Sequence, residues 1–289
     1  MERSYLIEVL QTLSPEELQD FSLFLASPQL RTNRHFEEMQ VLLGCILAGM
    51  EDAPDSTLDK NLVYNTVFPE SEFVEGKLEK LMAELNKILR QYLLIQYYFR
   101  PENDVQIQLD LINILEARGL ESKKVQALQK LSRQQQAVRQ RQPAYYLHQS
   151  KLELLVHEHE SKYNPARGDL NIPNVVQNLD IFHHLSRLEM LNRFLLQQRL
   201  AQLEVKDHIQ LALNESAVPQ RYLDHSMELR IKNMVFQLLS SDLPERAAFE
   251  SLLDILKGNS DQLAESTLIE IYTYLRNFCV MLINNGTTD

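Results

Sequence analysis

Residues Asn174–Lys206 read NVVQNLDIFHHLSRLEMLNRFLLQQRLAQLEVK, with Pro173 just ahead and no Gly or Pro inside. Val175, Leu179, Phe182, Leu185, Leu188, Leu191, Leu195, Leu200 and Leu203 recur mostly at steps of three or four. That spacing gathers them on one helical face. A helix of this length runs about 50 Å. No single short partner can cover such a face, so several helices must lie against it.

The rest of the chain supplies them. Among 289 residues, Gly (7) and Pro (10) are both scarce, which leaves few turns and favours helix. The length allows one large or two ordinary domains with a substantial core. The formal charge of −11 argues against a general nucleic-acid binder, because phosphate contacts need a basic surface. Cys45 and Cys279 stand far apart without CxxC or Cys/His spacing, so two free thiols are expected and neither a disulfide scaffold nor a zinc site. Met1-Glu2-Arg3-Ser4 leads into an amphipathic segment and not a signal-peptide core. The most apolar run, Val41–Met50, is about half of what a bilayer span requires. A cytoplasmic protein outside the membrane is expected.

Local signals punctuate the chain. Ser14-Pro15-Glu16-Glu17 has the form of a capping box with Pro in the first turn. Helices are predicted over 33–47, from a Ser56 or Thr57 cap to 67, and over 71–99, where Pro101 closes an N-terminal block of residues 1–100. Beyond it, helices are predicted over 104–118, 121–140, 143–162, 174–206, 220–241, 244–257 and 265–285. Gly119 and Gly258 stand where C-terminal caps are wanted, and Pro143 and Pro244 where first turns begin. The longest break, Tyr163–Pro173, suits a hinge or a functional edge. Consecutive antiparallel helices joined by short loops build an α-solenoid, and the weak self-similarity points to an irregular one over 101–289.

No motif implies a cofactor, and no Gly-rich phosphate loop, GxSxG or supported Cys/His pair occurs. His157-Glu158-His159-Glu160 with Glu153 is the best metal-like cluster. His157 and Glu153 share a face while His159 points away, so solvated histidines are expected there. Residues 118–141 form the basic segment: Arg118, Lys123, Lys124, Lys130, Arg133, Arg139 and Arg141 against Glu121 alone. Tyr145 and Tyr146 follow. An acidic-peptide or RNA groove is the sharp functional interpretation, with arginines on the anion and tyrosines stacking. A basic face that balances acidic neighbours is the plain one. The short helix, turn and longer helix over 57–99 also permit a helix-turn-helix, with Lys77, Lys80 and Lys87 toward phosphate. Glu75, Glu79 and Glu84 alternate with those lysines, as on an ordinary solvated face.

Two stretches resemble known helical proteins. Asn277-Phe278-Cys279 with Gly286 seven residues beyond Cys279 resembles the end of the first helix of a tetratricopeptide repeat. Leu13–Glu17, Phe21-x-x-Phe24-Leu25-x-Ser27-Pro28 and Val67-Phe68-Pro69 resemble the opening of a family of large, uncharacterised bacterial helical proteins with tetratricopeptide-like regions. The resemblance implies an all-α, tetratricopeptide-like superhelix of antiparallel helix pairs ending in a half repeat, and a chain that stops inside a longer array. It adds Asn277 to Arg133, Arg139, Arg141, Tyr145 and Tyr146 as partner-binding residues. The expected function is a protein–protein interaction scaffold, not an enzyme. The alternative is a nucleic-acid-associated regulator using the basic segment or the helix-turn-helix. The apolar side of the final helix (Ile271, Leu275, Phe278, Leu282) should be covered by another copy or by the chain itself.

Overall fold

A computed structural model of the chain describes residues 4–52, 59–163, 171–201, 207–241 and 246–284. Among these, fourteen α-helices and two 3-10 turns make up the regular structure, and no strand occurs. Among the described residues no helix is long and apolar enough to cross a membrane. The chain divides into two compact units, Met1–Asp104 and Val105–Asp289.

The first unit holds α1 (Tyr5–Leu10), α2 (Pro15–Leu25), α3 (Phe36–Asp52), α4 (Lys60–Val67) and α5 (Lys77–Tyr98), followed by a 3-10 turn at Pro101–Asn103. Ser14 closes the expected capping box: Glu17 N–H donates to Ser14 Oγ at 3.2 Å, and Ser14 N–H donates to Glu17 Oε2 at 2.8 Å. The Ser56 or Thr57 cap lies outside the described residues, and Asp59 Oδ1 caps α4 by accepting from Asn61 N–H. The stripe Leu78, Leu81, Leu85, Leu89 and Tyr92 on α5 is buried in one core with α1 to α4.

The sequence pattern starts α5 near Ser71, whereas the helix begins at Lys77. The buried Tyr64 accounts for the difference. Its hydroxyl donates to Glu72 O at 2.8 Å and accepts from Val74 N–H at 3.0 Å, and its ring packs on Phe73 and Phe68. Those backbone groups are therefore satisfied without a helix. Gly76, at φ +80°, then turns the chain into α5 in a conformation that a Cβ disfavours.

The second unit contains α6 (Asp104–Ala117), α7 (Glu121–Gln136), α8 (Pro143–Tyr163), α9 (Ile172–Ala201), α10 (Asp207–Asn214), α11 (Gln220–Leu223), α12 (Met227–Ser240), α13 (Arg246–Asn259) and α14 (Glu265–Asn284), with a 3-10 turn at Ser260–Gln262. Gly119 ends α6 at φ +69° with two closing bonds, Leu120 N–H to Leu115 O and Gly119 N–H to Glu116 O. Together they form a Schellman motif. Gly258 does not act as a cap: it lies inside α13, which continues to Asn259. Pro143 opens α8 as expected, while Pro244 and Gly286 lie outside the described residues.

On α9 the buried face runs through Ile181, Leu185, Leu188, Asn192 and Leu195, whereas Leu179 is exposed. Leu200 and Leu203 lie outside the described side chains. Asn192 belongs on this face because its Nδ2 donates to Lys232 O at 3.0 Å. The helix α8 runs antiparallel to α9: Asn171, just before α9, bonds Glu153, while Tyr146 near the start of α8 packs with Leu185 and Leu188. By contrast, α9 and α12 run parallel, since Asn192 bonds Lys232 and Arg199, further along, bonds Ser241 O. The return between these two includes α10.

It is α12, more than α9, that the second unit encloses. Leu229, Ile231, Val235, Leu238 and Leu239 are all buried, and so are Glu228, Lys232 and Asn233. Ile271, Leu275 and Phe278 on α14 are buried in the core shared with α12 and α13, so the chain covers that side of α14 itself. The side chain of Leu282 lies outside the described ones.

Candidate functional site

The pattern over 220–241 reads as one helix, but the chain breaks at Asp224–Ser226 between α11 and α12. Ser226 is extended (φ −141°, ψ 111°) and its Oγ accepts from Leu229 N–H at 3.3 Å, a helix N-cap. Ser226 is itself buried. This break opens one wall of a cavity of about 720 Å³. The connection between α7 and α8 contributes Arg139 and Arg141, the start of α12 contributes His225 to Glu228, and the 3-10 turn contributes Asp261. Tyr146 lines it too. The first-turn amides of Met227 and Glu228 have no acceptor within the helix.

Arg139 and Arg141 are exposed, and among the described residues neither pairs with a carboxylate. Arg141 lies over the Tyr145 ring at 5.1 Å, and its Nε donates to Val138 O at 3.4 Å. The Tyr145 and Tyr146 rings meet edge to face at 5.2 Å. Burial raises the pKa of both tyrosines.

Behind this wall, Glu228 also lines a second cavity of about 290 Å³, where α9, α12 and α14 meet. Lys232, 5 % exposed, lies 3.1 Å from Glu228, 3.3 Å from Glu189 and 3.6 Å from Glu270. Arg193 bridges Glu189 and Glu270 at 2.7 and 3.3 Å, and the Tyr274 hydroxyl donates to Glu270. Burial by itself would lower the Lys232 pKa, but the carboxylates of Glu228, Glu189 and Glu270 together hold it above the usual value. Burial raises Glu228, against the pull of Lys232. Burial and the neighbouring Glu270 push Tyr274 up. The cluster joins three helices by charge in a partly dry site, where removing one partner costs more than it would at the surface.

The basic segment is sorted by the fold. Lys124 is fully buried and pairs with Glu116 at 2.6 Å. Glu121, the segment's one carboxylate, turns to His159 at 2.9 Å and Lys162 at 4.0 Å on α8. Lys123, Lys130 and Arg133 remain on the outer face of α7. Arg133 is not itself in the lining but stands on α7 three residues before Gln136, where the cavity's edge begins, and Asn277, half-buried on α14, lines neither cavity.

The metal-like cluster is dispersed. Glu153 accepts from Gln149 at 2.6 Å and from Asn171, while His159 reaches α7. His183 is exposed and His184 packs on Tyr222 at 5.5 Å. Among the described residues no group of three or more His, Cys, Asp and Glu is placed to hold a metal ion. In the first unit, Lys77 of the helix-turn-helix pattern is engaged locally, donating to Ser71 Oγ and lying 3.9 Å from the Phe68 ring centroid.

No family model, curated protein or solved structure matches the chain.

Sequence reasoning missed Ser226, Glu228, Lys232, Glu189 and Glu270. A faint signal existed for the first: Asp224-His225-Ser226 is a polar triplet before an apolar run, the pattern of an N-cap. Glu228/Lys232 and Glu189/Arg193 have the i, i+4 spacing of surface ion pairs, which hides their burial.

Proposed function

We propose that this protein is a cytoplasmic protein-interaction scaffold and not an enzyme. Its second unit acts as an irregular, tetratricopeptide-like superhelical stack that holds a segment of a partner protein. One observation carries this role: a roomy polar cavity at the break between α11 and α12, rimmed by Arg139 and Arg141 without carboxylate partners. Guanidinium groups left unpaired in a chain of charge −11 are free to bind a ligand's acceptors. The parallel course of α9 and α12 supports the stacked arrangement, because the first helices of successive pairs align that way in helical repeats.

Affinity capture from cytosol compares the native chain with R139E/R141E. A protein retained by the native chain and lost from the variant is the expected result. Identical protein sets from both, or nucleic acid as the only specific cargo, would remove the role assigned to this cavity.

A further inference from the structure

Resting on that assignment, we infer that the cavity and the outer face of α7 form one continuous site for an acidic, extended peptide segment. Five cations mark the path: Lys123, Lys130 and Arg133 along the helix, then Arg139 and Arg141 at the cavity rim. Among the described residues none of the five pairs with a carboxylate, although Asp and Glu total 40 against 29 Lys and Arg. The fold itself produces this imbalance. It turns Glu121, the nearest carboxylate, toward His159 and Lys162 on α8, away from the path. Lys124 is the one basic side chain of α7 taken inward, and Glu116 neutralises it there. The outer face is left purely cationic.

Lys123, Lys130 and Arg133 recur at i, i+7 and i+10, so they lie along one side of α7. From the first to the last the helix rises about 15 Å. At about 3.3 Å per residue, an extended peptide crosses that distance in about five residues, and a few more reach into the cavity. The exposed Gln126, Gln129 and Gln134 stand beside the same path and offer both donors and acceptors to a peptide backbone.

The cavity separates a peptide from a nucleic acid. Its lining sets the donors Arg139 and Arg141 beside one carboxylate open to a ligand, that of the exposed Asp261, since Glu228 is buried against Lys232. A peptide backbone presents N–H as well as C=O groups and so uses both kinds of lining. A phosphodiester chain presents charged acceptors at every step and no backbone donor, so it leaves the Asp261 side of the lining without a partner.

The test measures fluorescence anisotropy of the full chain with three labelled probes: an octaglutamate peptide, an octaglutamine peptide and an eight-nucleotide oligouridine. Saturable octaglutamate binding is expected, at least tenfold tighter than either other probe and weakened by salt. R139E/R141E and K130E/R133E should each weaken it at least tenfold. K80E/K87E in the first unit should leave it unchanged. All these side chains are surface groups, and an unchanged far-UV circular dichroism spectrum verifies each fold. Absent octaglutamate binding, insensitivity to the α7 and rim reversals, or tighter oligouridine binding would overturn the inference. A captured partner that depends on Arg139 and Arg141 while octaglutamate fails would reject the acidic segment alone and leave the scaffold role standing.

Discussion

Replacing Lys232 with Met removes the central cation of the buried cluster and keeps nearly the same side-chain volume. Glu228, itself 5 % exposed, then loses the ammonium 3.1 Å away, and Glu189 and Glu270 lose the one at 3.3 and 3.6 Å. Arg193 still serves Glu189 and Glu270, so the deficit concentrates on Glu228. At an effective dielectric of about 20, the contact at 3.1 Å alone represents about 5 kcal/mol of gross attraction. Relief of lysine desolvation offsets part of this, and breaking a buried pair from one side nets about 3–5 kcal/mol of destabilisation. With an m-value of about 2.5 kcal/mol/M, the urea midpoint of the second unit should fall by about 1–2 M. The absence of Trp makes far-UV circular dichroism the natural probe, with hydrogen-exchange mass spectrometry assigning the transition to α12. Neutralising the stranded carboxylate in E228Q/K232M should recover about half of the loss or more. The K232M deficit should also shrink as pH falls, because burial raises the Glu228 carboxyl above the ordinary carboxylate range and a protonated Glu228 no longer needs the ammonium. A single variant within about 1 kcal/mol of the native chain, or a double variant no more stable than the single, would refute the idea that Lys232 compensates Glu228.

Y64F should cost about 1–3 kcal/mol, because Glu72 O and Val74 N–H lose their shared partner, with faster amide exchange at Val74 as the local readout. G119A should cost about 1–2 kcal/mol in a thermal melt, from backbone strain at φ +69° alone, since a Cβ there meets no atom within 4 Å. Raised pKa values at Lys232 and Tyr274 mean stabilisation that is complete below their unfolded values, about 10 for each, and lost as pH rises through the higher folded values. Urea midpoints should therefore hold up to about pH 10 and drop above it, more steeply in the native chain than in K232M. In a spectrophotometric titration Tyr92, Tyr145, Tyr146, Tyr222 and Tyr274, five of the eleven tyrosines, should ionise late, whereas a single ordinary transition for all eleven would contradict their burial.

Helices and their ends were legible wherever the physics is local. The Ser14 box, Pro143 at the head of α8 and Gly119 closing α6 each depend on atoms within a few residues, and each stands in the structure as the sequence implies. The all-helical character follows from the same source, an apolar period near 3.6 with few breakers. The late start of α5 was not legible, because Tyr64 holds Glu72 and Val74 from eight and ten residues away. The same is true of Ser226: its cap competes with a run that could continue as helix, and its burial depends on helices distant in sequence.

Periodicity alone thus determined that the chain is made of amphipathic rods and which residues start and stop many of them. Only packing decided which charges face water. Lys123 and Lys124 are neighbours of one type, yet one is exposed and the other fully buried against Glu116. Glu228 and Lys232 have the spacing of any surface pair, yet they sit inside because α9 and α14 close over α12. Solvation depends on what lies opposite a side chain, and in this protein the opposing helix is often tens of residues away in sequence.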